Sequence, residues 1–156
     1  GFASPGTGFK KSEENEVILK ETGIQYIRLS MRYFRNEKWK VLCRKMSRIL
    51  HNRLFSFLYK IAYADTCMDS FENLYVYSVP IIHDTTYYQI KSLVNYAVKN
   101  NKILVLMFHS VLPRSAKGYD DIWSYDEKSF DRICSLLFQY EQKSLCKVLP
   151  TIDLTK

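Results

Sequence analysis

The sequence predicts an α/β fold built on a parallel sheet or barrel, and three observations carry that reading. Strand-like and helix-like segments alternate almost throughout the 156 residues, as βα units do. Residues 103–108 form an unbroken apolar run of strand length, the kind found in parallel strands covered on both faces. Residues 36–64 carry apolar side chains at three- and four-residue steps, which marks an amphipathic helix. The length suits a single domain with a real core.

Each element has a local reason. Residues 1–9 read as a strand end entering a Pro/Gly loop. Ser12 opens a helix with Glu13, Glu14 and Glu16 in its first turn, where acids meet the positive end of the helix dipole, and Gly23 stands just past its end. Residues 24–29 are a short strand. One long helix is expected over 36–64, with Trp39, Leu42, Cys43, Met46, Ile49, Leu50, Leu54, Phe57, Leu58 and Ile61 on its buried face. Lys38, Lys40, Arg44, Lys45 and Arg48 fall mostly off that stripe. Residues 74–79 alternate and predict a strand that Pro80 ends. Asp84 or Thr85 can cap a helix running to about Lys99, which Asn100-Asn101 breaks. The apolar strand 103–108 precedes a long loop over 110–124. Asp126 caps a helix to about Gln142, and 147–152 is a final strand.

The longest apolar run is far too short to span a bilayer. The start, Gly1-Phe2-Ala3-Ser4-Pro5, lacks a Met and any secretory pattern, and reads as a piece of a longer chain. The net charge is +7, but residues 28–60 hold ten Lys/Arg against one acid, Glu37, so the remainder is slightly acidic. The basic helix has three readings. It is foremost a surface helix with a solvated charged face; it can also lie on an anionic membrane surface or meet an acidic glycan. No nucleic-acid motif accompanies the charge. The four cysteines, Cys43, Cys67, Cys134 and Cys146, form no C-x-x-C pair and read as buried or incidental thiols.

His109 is the sharpest candidate for chemistry. It follows the most apolar strand, and parallel α/β folds collect functional groups at the C-terminal ends of strands. A histidine there can move protons near neutral pH, or simply be satisfied at a strand end. His83-Asp84 also follows a strand, but adjacent residues rarely face one site, and Asp84 suits helix capping. His51 reads as solvated, and Asp120-Asp121 as a solvated acidic turn, with cation binding as the lesser alternative. Ser4-Pro5-Gly6-Thr7-Gly8 lacks the Lys and spacing of a phosphate loop.

In series, these segments resemble the polysaccharide deacetylase family, the NodB-homology domain of carbohydrate esterase family four. Phe2-Ala3-Ser4-Pro5-Gly6-Thr7-Gly8, a helix, then Glu21-Thr22-Gly23-Ile24-Gln25-Tyr26-Ile27-Arg28 is similar to the middle of that domain. Ile103-Leu104-Val105-Leu106-Met107-Phe108-His109-Ser110-Val111 resembles its late strand ending in a catalytic histidine. Trp123-Ser124-Tyr125, the helix containing Phe130 and Tyr140, and Val148-Leu149-Pro150-Thr151-Ile152 resemble its closing helix and strand. The likeness covers roughly residues 1–30 and 74–154.

The resemblance implies the C-terminal part of a distorted (β/α) barrel, with a basic amphipathic helical insertion over about 31–70. It implies hydrolysis of N-acetyl groups on a polysaccharide or oligosaccharide through a divalent metal, zinc first among candidates, held by the parent domain and not by this chain alone. By carry-over His109 is the general acid that protonates the departing amine, Met107 lines the acetyl pocket, and Pro5 shapes the groove. The family's paired acids and its His-x-x-x-His type metal motif belong upstream of Gly1. Ala3 and Ser4 stand where many members carry an arginine, and the Asp-Trp motif that tunes the histidine is not evident over 28–80. The chain alone is therefore expected to be inactive. The alternatives are a non-catalytic glycan-binding or scaffold relative on the same fold, or a basic membrane- or nucleic-acid-associated protein.

Overall fold

The computed structural model describes residues 2–3, 12–29, 37–71, 75–120, 122–151 and 153. Strand β1 (Phe2–Ala3) is followed by helix α1 (Glu13–Glu21) and strand β2 (Ile27–Leu29). The Ser12 hydroxyl accepts the Asn15 N–H at 3.2 Å and caps α1, while Gly23 past its end takes φ +72°, a conformation that favours glycine. Both ends stand where the sequence puts them.

The expected long basic helix is two helices, α2 (Lys38–Ile49) and α3 (Ser56–Tyr63). The chain turns at 50–55, where the Asn52 side-chain oxygen accepts the Phe55 N–H at 3.1 Å and starts the next helix. The apolar stripe is divided accordingly. Leu58, Tyr59 and Tyr63 of α3 are buried. Trp39, Leu42, Met46 and Ile49 of α2, expected inside, are exposed, and Ser47 is the buried residue of that helix.

Strands β3 (Tyr75–Tyr77) and β4 (Val79–Ile81) follow, then α4 (Tyr87–Lys99), β5 (Leu106–Phe108), β6 (Ser110–Leu112), β7 (Ser124–Asp126) and α5 (Glu127–Gln142). Pro80 does not end the strand but sits within β4, half-buried between buried Val79 and Ile81. The cap of α4 is Thr86, not Asp84 or Thr85. Thr86 and Gln89 exchange side-chain and backbone hydrogen bonds at 2.8 and 3.3 Å, a capping box. Thr85 is instead buried and accepts the Ile82 N–H.

Among the described residues the named strands pair in parallel with their chain neighbours: β1 with β2, β2 with β3, β4 with β5, β6 with β7. The three small sheets meet at single residues. At Ser78, which separates β3 from β4, the Ser78 N–H reaches the Leu29 carbonyl and the Val79 N–H reaches that of Val105. His109 separates β5 from β6. The result is an α/β arrangement of short parallel sheets.

The core lies where α3, α4 and α5 cover β4 and β7, with Tyr59, Tyr63, Cys67, Val79, Ile81, Ile90, Leu93, Tyr125 and Ile133 in one cluster. The 103–108 run is less regular than expected. Only its last three residues form a strand, all half-buried, and Ile103 makes an isolated antiparallel bridge to Met68. The segment 147–150, expected as a strand, forms none. Val148 and Leu149 are exposed, and the Val148 N–H is taken by the Glu141 carboxylate instead of a neighbouring ladder. Ile152 lies outside the described residues.

Candidate functional site

The site is built on two strand ends and one turn. In the parallel register of β4 and β5, Ile81 stands beside Phe108. His83 and His109 therefore follow the C-terminal ends of adjacent strands, at the same edge of the sheet. His109 is exposed at the joint where the chain leaves β4 as a neighbour and takes up β7. Its ring lies against Trp123, with centroids 4.6 Å apart.

Trp123 belongs to the turn that leads into β7. The Asp120 carboxylate accepts the N–H groups of Ile122 at 2.6 Å and Trp123 at 2.9 Å. Those two backbone donors, aided by nearby His83, hold the Asp120 carboxyl below the usual carboxylate range. The Asp120 N–H is taken by Ser124 Oγ, which also lies 2.9 Å from Ser110 Oγ. The turn is thus fastened to β6, one residue past His109. His83 Nδ1 lies 3.4 Å from the Ile122 carbonyl oxygen. A carbonyl only accepts, so this ring donates from Nδ1.

One turn thus gathers both histidines: His83 on the carbonyl of Ile122 and His109 on the ring of Trp123. The sequence pointed to His109 and discounted His83, because strand register, not chain proximity, decides what converges. It read Asp120 as part of a solvated acidic turn and gave Trp123 no role of its own. The available signal was an Asp placed two and three residues before backbone N–H groups it can accept, the pattern of an Asx turn.

Met107 sits in the middle of β5, with its sulfur 3.8 Å from Ser78 Oγ. Its neighbour Phe108 packs against Tyr125 and Phe130 on the α5 side. Side chains alternate along a strand, so Met107 faces away from α5. Pro5 and Asp121 lie outside the described residues. His51 is exposed, with Nδ1 3.1 Å from the Asp84 carbonyl oxygen.

Among the described residues no three His, Cys, Asp or Glu side chains gather as metal ligands. His83 and His109 alone fall short of the three or so protein ligands a catalytic zinc takes. A small concavity where α2, α3 and α4 meet the end of β4 has a volume of about 30 Å³, and Ser47, Tyr59, Pro80, Asp84, Thr85 and Gln89 are among its lining residues. That is room for a water, not for a substrate. No protein-family model, curated protein or solved structure matches the chain.

Proposed function

We propose that this chain is the C-terminal portion of a partial, distorted (β/α) barrel whose parent hydrolyses N-acetyl groups from a glycan, with His109 as the general acid. The observation that carries the reading is the position of His109: exposed at the end of a parallel strand, backed by Trp123, and at the same sheet edge as His83, which follows the neighbouring strand. The parallel pairing of β1 with β2, β2 with β3 and β4 with β5, each pair connected through helix, supports βα units of this type.

The chemistry assigned to His109 is one proton transfer. When the tetrahedral intermediate collapses, the carbon–nitrogen bond breaks and the amine leaves. An amide nitrogen departs readily only if protonated, and the imidazolium supplies that proton. Trp123 restricts the ring on one side, which favours a defined orientation for the transfer. Met107, on the face away from α5, is assigned to the apolar acetyl pocket. Among the described residues no three potential ligands gather, and no step is assigned to a metal on this chain.

A second reading, a glycan-binding domain without chemistry, is favoured by the half-exposed Trp123 ring, which can stack on a sugar face. Both readings predict acetyl-dependent glycan recognition at one place. In an NMR titration, a chitin oligosaccharide should move the imidazole signals of His109 and the indole signal of Trp123, and its fully deacetylated counterpart should not. Unmoved His109 and Trp123 signals would remove the glycan from this site.

A further inference from the structure

Helix α2 docks on its polar face and shows its apolar face to solvent. Ser47 is 1 % exposed, and its carbonyl accepts the Gln89 side-chain amide at 2.6 Å. Lys40, on the same side, is ion-paired with Glu37 and Asp65. Leu42 at 56 % and Ile49 at 74 % exposure face away from that contact, and Met46 and Trp39, 54 % exposed with the Lys40 ammonium 5.4 Å from its ring centroid, stand on the flank beside them. Leu54, in the turn after the helix, and Phe57, at the start of α3, are exposed as well. At helical spacing, Lys38 and Lys45 run along one border of the stripe, and both are exposed. Residues 38–64 contain seven Lys/Arg and no Asp or Glu.

We propose that this face is a docking surface for an anionic lipid bilayer, with α2 lying in the interface plane. An apolar stripe with Trp at one end and lysines along its border is the arrangement that buries side chains at the acyl boundary while ammonium groups reach the phosphates. Charge complementarity selects this occupant. A second copy of the chain would set one acid-free basic surface against another, a like-charge contact that an isologous dimer would have to bury. A bilayer rich in phosphatidylserine offers the opposite charge over the whole face. The proposal rests on α2 and the start of α3, and is independent of the glycan reading.

The test is sedimentation of the whole chain with vesicles of phosphatidylcholine alone or with about 30 % phosphatidylserine. Binding is expected to the anionic vesicles, weak on the neutral ones, and reduced by salt. Lys38→Gln/Lys45→Gln should weaken it about 30-fold, roughly fivefold for each lysine near the surface. Trp39→Ser/Ile49→Ser should weaken it as well, with an unchanged melting curve, since both side chains face solvent. The chain has two tryptophans. In a Trp123→Phe background, Trp39 fluorescence should shift to the blue on anionic vesicles. Equal binding to both vesicle types, no binding to either, or an unshifted Trp39 would overturn the proposal. So would a dimer in sedimentation equilibrium that Ile49→Ser abolishes, because the occupant would then be a second copy.

Discussion

Gln89 is the polar joint between α2 and the core, and replacing it with Met isolates what its amide does. The side chain is buried, 2 % exposed, and Met nearly conserves its volume, so packing changes little. Two hydrogen bonds are lost: Gln89 Nε2 to the Ser47 carbonyl at 2.6 Å and the Thr86 N–H to Gln89 Oε1 at 2.8 Å. Ser47 lies in the last turn of α2, where carbonyls lack an intrahelical donor, so its oxygen is left buried and unpaired. An orphaned buried group costs about 1–3 kcal/mol, and loss of half the capping box adds about 1 kcal/mol, so Gln89→Met should cost about 2–4 kcal/mol. For a chain of this size that lowers Tm by roughly 5–15 °C. Urea titration and calorimetry read it directly. A loss under about 0.5 kcal/mol, within the range of an ordinary surface substitution, would refute the claim that this amide holds α2 to the core.

The site and the thiols make further predictions. Asp120 has a depressed carboxyl in the folded chain, so the support it lends the turn is complete above the ordinary carboxylate pKa and lost as pH falls through the folded value. Acidification should therefore release Trp123 from His109 before global unfolding, seen as a change in Trp123 fluorescence in a Trp39→Phe background; Asp120→Ala should show the released signal already at neutral pH. Burial pushes the Cys67 thiol up to about 11, so it should resist a thiol reagent at pH 8 until the protein unfolds, while exposed Cys134 reacts in the native state. Equal native rates for the two would contradict the placement of Cys67 in the core.

Much of the helical framework was legible because its signals are local. Ser12 and Asp126 cap helices through their own side chains, and Asn101, with φ 50°, stops α4 in the left-handed conformation asparagine tolerates. The division of the 36–64 helix was not legible, because periodicity continues across the turn at Asn52 and cannot say which face a helix docks. In α2 the docking contacts include a serine carbonyl and an ion-paired lysine, so hydrophobicity alone pointed the wrong way. Pro80 was misread because a proline ends a strand only where its missing N–H was needed, and here it sits within β4. His109 was legible from the apolar run before it. His83 and Trp123 were not, because the 2.6 and 2.9 Å bonds of Asp120 and the parallel register of β4 and β5 bring them there.

The central claim is the proposal that His109 gives a proton to a departing amine, and acetate release from an N-acetylated oligosaccharide by the proposed parent protein tests it most directly. His109→Ala and His109→Gln should each lower kcat by roughly 10²–10⁴-fold, with KM little changed, because a general acid serves the transition state more than the bound substrate. Melting curves matching the wild type would show that both variants are folded. Folded variants that release acetate at the wild-type rate would contradict the account.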